Sequence, residues 1–369
     1  MSASAVRQRR LAVANSAIGA AFAWPRFIAT LAVGAAGGWL AWQADLPLAW
    51  MLGAMVATTG LTLAGVPLVM HGRLRAIMIA VIGVMLGSAF TPDLLSRAGE
   101  WAVSIGILAA FMSVSTFSLM LFLHKVAGYD PATAYFSAAP GGLVEMITVG
   151  SVMGGDDRII ALTHAVRLLI VVLAIPFFFR WLHGIGSGGP PGGGDPLLTM
   201  AGADIAVLVA AAVLGLPLGR LLRLPAYQFL GPLFLSAAAH LGGLTDSTPP
   251  PELVGVAQVV IGCGIGVRFA GVKLREMARP IAFAAASNLM MVLLAGVFAL
   301  LALVIGSGQF GALLLAYSPG GLAEMSLIAL AIQADVAFVS THHIVRILLV
   351  VSLAPMAFMA LRRMMMGRS

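Results

Sequence analysis

Apolar segments of about twenty residues, separated by short polar loops, follow one another along almost the whole chain. Runs of this length predict helices that cross a membrane. Six of them lie in the first half, at 26–43, 47–67, 76–90, 101–123, 131–150 and 159–182. Six more lie in the second half, at 199–219, 225–244, 254–270, 280–305, 309–332 and 337–361. The pattern predicts an all-α polytopic membrane protein.

Polar and low-complexity stretches divide this pattern into five parts. They are a basic N-terminal segment at 1–24, a membrane repeat at 25–183, a glycine- and proline-rich linker at 184–198, a second repeat at 199–363 and a tail at 364–369. We interpret the first part as an interfacial helix rather than a cleaved signal peptide, because Asn15 and Ser16 interrupt its apolar stretch. The linker composition cannot pack a core.

Composition excludes a soluble globular protein. Hydrophobic residues make up 60% of the chain and charged residues only 9%, whereas a soluble domain carries about a quarter charged residues. The net charge of +7 would suggest nucleic acid in a soluble protein, but here the basic residues lie in short loops between apolar segments. No DNA-reading motif accompanies them. We therefore expect the lipid bilayer as a partner, and no direct contact with nucleic acid.

The two halves carry the same motif, Pro-Gly-Gly-Leu-x-Glu-Met, at 140–146 and at 319–325, which is an offset of 319 − 140 = 179 residues. Charged and polar residues repeat at the same offset, and such coincidences are informative because charged types are rare in this chain. The repeated pairs are Asp156 and Asp335, His164 and His343, and Arg167 and Arg346. The chain is therefore an internal duplication.

The basic residues predict how the two repeats are oriented. If all twelve segments crossed the membrane, the repeats would be parallel and the basic loops of the second would face outside, against the positive-inside rule. If the fifth segment of each half is re-entrant, each half crosses five times and the second half is inverted. All 21 basic residues then lie on the cytoplasmic side except Arg97, Arg180 and the intramembrane Arg167 and Arg346.

We therefore predict two inverted-topology repeats, each with about five transmembrane helices and one re-entrant or broken helix at its Pro-Gly-Gly. Proline removes a backbone donor and the two glycines favour a bend, and broken backbone at membrane depth survives only where protein or a wet cavity surrounds it. A spanning helix with a kink is the alternative that the sequence leaves open. Both termini are predicted to be cytoplasmic, in a bacterial inner membrane.

The motif and the residues after it are the candidate site for a substrate or ion. Beyond each Pro-Gly-Gly a helix begins, whose N-terminal amides attract anions. The glutamate of the motif would be a proton- or cation-coupling carboxylate or a cap on those amides, and both roles can hold together. The candidate residues are Gly141, Gly142, Glu145, His164, Arg167, Gly320, Gly321, Glu324, His343 and Arg346.

The arginines and histidines of this set also allow two interpretations each. Arg167 and Arg346 would bind an anionic group of the substrate, or form ion pairs with Glu145 or Glu324; of the two we favour the ion pair, because unpaired buried charge is costly. The histidines would relay protons or bond substrate, or hold the hairpin by a structural hydrogen bond. No catalytic residue, metal ligand or cofactor is expected.

The doubled Pro-Gly-Gly-Leu-x-Glu-Met and the His-x-x-Arg that follows it resemble the AbrB-duplication family of bacterial membrane proteins, from about Pro25 to Arg363. Members are also labelled ammonia monooxygenases or transcriptional regulators. The family is distantly similar to the group of bile-acid, auxin and cation–proton carriers, which implies the inverted-repeat fold. A copper monooxygenase needs clustered imidazoles, and only His342 and His343 are adjacent, so we expect no enzyme.

The function predicted from these features is a secondary transporter or exporter. It would move a small anionic or amphipathic solute, coupled to protons or to Na⁺, and a homodimer is an arrangement that the sequence allows. The alternative is a membrane-embedded regulatory or sensory protein that affects gene expression indirectly, without net transport.

Overall fold

The computed structural model describes residues 23–90, 98–183 and 195–366; most of the predicted N-terminal segment and of the linker lie outside these ranges. The described residues form fourteen α-helices, two short 3₁₀ turns and no strand. The first repeat holds α1 Trp24–Gln43, α2 Ala49–Leu63, α3 Gly72–Gly87, α4 Ala102–Lys125, α5 Pro131–Ala138, α6 Leu143–Val152 and α7 Asp157–His183. The second holds α8 Gly202–Leu221, α9 Tyr227–Leu241, α10 Pro251–Gly266, α11 Leu274–Val304, α12 Phe310–Tyr317, α13 Leu322–Ala331 and α14 Val336–Met366.

The same seven helices recur in the same order in both halves. The starts of α7 and α14 differ by 336 − 157 = 179 residues, the offset of the motif. Asp156 and Asp335 cap these two helices, because their Oδ1 atoms accept hydrogen bonds from the amides of Arg158 and Phe338, both at 2.9 Å. Helix α14 continues to Met366, so half of the predicted tail at 364–369 is helical.

Equivalent helices of the two repeats run in opposite directions. In the pair α4 and α11, Phe111 lies 5.6 Å from Phe298 and Phe122 lies 6.2 Å from Phe283, measured between ring centroids. Residue numbers thus rise along one helix as they fall along the other. Arg75, in the first turn of α3, likewise contacts Gly264 in the last turn of its equivalent α10. The repeats are therefore inverted with respect to each other.

Each Pro-Gly-Gly forms the turn of a helical hairpin. The amide of Asp156, just after α6, donates a hydrogen bond of 2.7 Å to the hydroxyl of Thr133 at the start of α5. In the second repeat Ile332, just after α13, packs against Gly311 at the start of α12. The arms have 8 and 10 residues, about 12 and 15 Å long. Each hairpin enters and leaves at the same end of the bundle, as a re-entrant element does and a kinked spanning helix does not.

Six of the described helices, α4, α7, α8, α10, α11 and α14, are long and apolar enough to cross a membrane. Helices α2 and α9 have only 15 residues each, about 22 Å, and are shorter than the predicted segments at 47–67 and 225–244. Large apolar side chains are exposed on the outer helices, among them Trp39, Leu293 and Leu353, all at least half exposed. Such a surface suits lipid, and the chain is a polytopic membrane protein.

Glycines bring the short helices into backbone contact. A Cβ built on Gly83 of α3 would lie 2.6 Å from the carbonyl oxygen of Phe229 of α9, and one built on Gly262 of α10 would meet the carbonyl oxygen of Met51 of α2. Close approach through small residues is the usual way helices pack in membranes. Helices α1–α3 and α8–α10 thus form one bundle across the two repeats, and both hairpins pack in a second bundle with α4, α7, α11 and α14.

Candidate functional site

A cavity of about 210 Å³ lies where the two hairpin turns meet, between the two bundles. Both Pro-Gly-Gly turns face it, so the N-terminal ends of α6 and α13 point toward the same space. Of the ten predicted site residues, all but His343 line it. These nine are Gly141, Gly142, Glu145, His164, Arg167, Gly320, Gly321, Glu324 and Arg346.

The Arg167 side chain binds backbone carbonyl groups of the first hairpin. Its Nη2 donates to the carbonyl oxygen of Ser137 at 2.6 Å and its Nη1 to that of Ala139 at 2.9 Å. These carbonyls end α5, where no further amide of that helix can reach them. A cation is also favoured at this end of a helix. Its Nε donates to Asn288 Oδ1 of α11 at 2.9 Å.

The favoured ion pair with a motif glutamate is therefore wrong. In the described ranges, ion pairs join Arg180 with Asp45 and Lys273 with Glu276, and none includes Arg167 or Arg346. The arginine does fix the re-entrant hairpin, but it binds peptide carbonyls and not a carboxylate.

Arg346 binds the second hairpin in the same way, through two hydrogen bonds. It donates to the carbonyl oxygens of Ser318 and Gly320, both at 2.6 Å. Its Nε is buried and lacks an acceptor in the described part of the chain. The two repeats differ here: the position equivalent to Asn288 is Ala109, whose side chain has no oxygen that could accept a hydrogen bond. The second arginine is only 3% exposed.

Each motif glutamate folds back over the turn. The carboxylate of Glu145 lies against Gly142, and that of Glu324 against Gly321, so closely that a Cβ on either glycine would collide with Oε2. A carboxylate at this place suits the positive end of a helix, and a side chain on the preceding glycine would displace it. The capping role and the coupling role both stay predictions.

The two histidines hold the first arm of each hairpin. His164 Nε2 donates to the carbonyl oxygen of Phe136 at 2.9 Å, and His343 Nε2 donates to that of Leu315 at 3.0 Å. These are the structural hydrogen bonds that the sequence allowed. Their neighbour His342 lies between Ser104 and the carbonyl oxygen of Phe338, at 2.8 Å from each. It has no part in the central cavity.

A family model described as "Transition state regulatory protein AbrB" matches residues 50–362, which is 313 of the 369 residues. The chain belongs to the AbrB family. Two relatives are each 26% identical to it. One is the "Uncharacterized protein YhjN" of Bacillus subtilis (strain 168), aligned over 351 residues, 88% of this chain and 90% of the relative. The other is the "Putative regulator AbrB" of Escherichia coli (strain K12), aligned over 328 residues, 84% and 89%.

Sequence reasoning missed three polar residues at this site. Arg75 and Arg268 line the cavity, although the charge pattern only assigned both to the cytoplasmic side. A comparison of the two repeats does not identify these two arginines, because neither is duplicated. Asn288 carried a usable signal, since it is a lone amide near the middle of the 31-residue apolar helix α11. Within the described residues, no three side chains of His, Cys, Asp or Glu converge as metal ligands.

Proposed function

We propose that this AbrB-family protein is a secondary transporter that carries a small anionic solute across the bacterial inner membrane. The observation that carries the proposal is the central cavity, where two inverted repeats direct the N-termini of broken helices toward one space. Inverted repeats with discontinuous helices are the usual construction of secondary transporters, and their substrates bind where the breaks meet. Four arginines line this cavity and favour an anion.

A second cavity adjoins the central one toward one end of the bundle. It has a volume of about 620 Å³, shares Leu143 and Arg268 with the central cavity, and also includes Arg158 and Lys273. The positive-inside rule assigns this basic end to the cytoplasm. The described conformation is then the one that receives solute from the cytoplasmic side.

The two hairpins differ in a way that suits alternating access. Val144 on α6 is 67% exposed, whereas its equivalent on α13, Ala323, is 8% exposed. An inverted-repeat carrier opens alternately to its two sides as its halves exchange arrangements. In the opposite state α6 would be covered and α13 uncovered. Glu145 and Glu324 are the candidate groups for coupling to protons or Na⁺.

Counterflow in proteoliposomes tests transport directly. Vesicles that contain the protein and are loaded with unlabelled small carboxylates should accumulate the labelled anion from outside. Glu324→Gln should keep counterflow and lose uptake driven by a pH or Na⁺ gradient, because an amide cannot exchange a proton or neutralise a cation. Glu252→Gln, exposed at the start of α10, is the matched control and should change neither. Solute binding without counterflow contradicts the transporter.

Cysteine labelling tests the assigned sidedness. Cys263 is the one cysteine of the chain and is buried, so Cys263→Ala gives a clean background. Cysteines placed at Val126 and Ser151, which flank the first hairpin and are exposed, should both react with a membrane-impermeant maleimide from the cytoplasmic side. A cysteine at Ile305, 55% exposed at the other end of the bundle, should react from outside. Labelling of the first two from opposite sides would refute the topology.

The second candidate is a membrane-embedded regulator that binds a solute without moving it. The name of one relative, "Putative regulator AbrB", favours this candidate. The same cavity would then be a sensor, and any effect on gene expression would be indirect. Binding that persists while counterflow is absent would select the regulator. We propose no enzymatic activity for either candidate.

A further inference from the structure

Two arginines line the central cavity where α3 and α10 meet it, beside the second cavity, and we call this place the mouth. Arg75 lies in the first turn of α3, and Arg268 follows the end of α10. At the offset of 179 residues, the equivalent positions hold Val254 and Ala89. The site thus combines a symmetric pair of arginines that hold the hairpins with an asymmetric pair at the mouth.

Three of the arginines that line the cavity are incompletely hydrogen-bonded. Arg75 Nε, Arg268 Nη1 and Arg346 Nε are buried atoms without a hydrogen-bond partner in the ranges that the structure describes. Arg268 lines the cavity together with Arg75 and Glu324 and forms no ion pair with a described carboxylate. Buried guanidinium groups are costly without a partner, so these arginines favour an anion in the cavity.

The charge and the walls of the cavity define that anion further. Four arginines and two glutamates line it, a formal charge of 4 − 2 = +2, which a dianion would balance. Its walls include the apolar side chains of Ile79, Leu168 and Phe229, which suit a hydrocarbon chain. The volume of about 210 Å³ equals that of about seven water molecules in the liquid, so the ligand is small.

We infer that the solute is a small organic dianion, a short dicarboxylate. One carboxylate would lie between Arg75 and Arg268 at the mouth, and the other at the start of α13, where Gly320 and Gly321 line the cavity. The inference rests on the proposed function, that of an anion carrier, and adds the charge and the residues that select it. Gly264 leaves room for Arg75, because a Cβ there would lie 2.9 Å from Arg75 Cδ.

Titration calorimetry on the purified full-length protein tests this with matched ligands. Succinate and butyrate share a four-carbon chain and differ in one carboxylate, and sulfate is a dianion without a carbon chain. We expect succinate to bind at least about tenfold more tightly than butyrate, since one charge-assisted contact is lost with the second carboxylate. Sulfate should also bind more weakly than succinate, because it leaves the apolar wall uncovered.

Substitutions at the mouth separate recognition from folding. Arg75→Gln and Arg268→Gln should each weaken succinate binding about tenfold and so reduce its advantage over butyrate. Arg73→Gln and Arg275→Gln remove exposed arginines from α3 and α11 and should leave the binding of both ligands unchanged. Arg75→Lys and Arg268→Lys keep the charge and should recover part of the affinity. Thermal unfolding without ligand verifies that every variant is folded.

Each contrary result identifies what has failed. Equal affinity for succinate and butyrate would overturn the inference that the solute is a dianion. Unchanged succinate binding in both glutamine variants would overturn it as well. In either case the proposed transport would stand if counterflow of a monoanion is still observed. Tighter binding of sulfate than of succinate overturns the organic ligand. If none of the three anions binds, the inference is wrong, and the absence of counterflow as well would overturn the proposed function.

Discussion

Replacing Arg167 with leucine will lower the free energy of unfolding by about 3 kcal/mol or more. The substitution leaves the last carbonyls of α5 and the amide oxygen of Asn288 without their donors. A buried acceptor without a partner costs about 1–3 kcal/mol. Arg167→Lys should recover little, because one ammonium group cannot reproduce a forked guanidinium that reaches α5 and α11 together. Thermal unfolding of the detergent-solubilised protein measures the effect.

Two comparisons make this result specific. Arg158→Leu changes an exposed arginine near the start of the same helix and should alter the unfolding midpoint little. The double variant Glu145→Arg with Arg167→Glu exchanges the charges of the rejected ion pair. Because the guanidinium binds peptide carbonyls, the exchange should not restore stability. Restoration by the exchange would reinstate the ion pair and contradict the observed hydrogen bonds.

Replacing Gly53 with alanine will destabilise the first bundle by about 2 kcal/mol. The added methyl group would overlap the carbonyl oxygen of Gly37 on α1, and helices in backbone contact can relieve this only by moving apart. Overpacking of this kind costs about 1–3 kcal/mol. The inverted repeat offers the same experiment at Gly231, whose Cβ would meet the carbonyl oxygen of Gly215. Unfolding midpoints of both variants should fall.

Gly60→Ala is the matched control on the same helix as Gly53. Nothing lies within 4 Å of a Cβ at Gly60, and alanine favours a helix over glycine by about 1 kcal/mol. This variant should therefore be neutral or slightly more stable. If Gly60→Ala lowered the stability as much as Gly53→Ala, the cost would come from placing alanine in α2 in general. It would then not come from the contact between α1 and α2.

Much of the architecture could be predicted because rare residue types repeat. Pro140 and its equivalent Pro319 interrupt apolar segments, and the distribution of basic residues then favours an odd number of crossings. The hairpin geometry agrees with that prediction, since Asp156 reaches back to Thr133. The positions of the helix breaks could thus be predicted from the local sequence, because proline and glycine interrupt a helix.

The partners inside the site could not be predicted in the same way. The predicted ion pair took only charged side chains into account as partners for Arg167. A broken helix also has free peptide carbonyls, and Arg167 binds these. Which helix faces an arginine depends on packing between distant segments. Asn288 satisfies Arg167 across 121 positions of sequence, and its absence from the other repeat leaves Arg346 with a free N–H.

Gly264 shows how a residue outside the cavity lining can influence the charge inside it. It is buried in the last turn of α10 and has no side chain. A methyl group at this position would push Arg75 away from the mouth, although no solute contacts position 264 itself. The two positions are therefore coupled through space. A side chain at 264 would require the Arg75 guanidinium to move, and this would change where the cavity presents one of its positive charges.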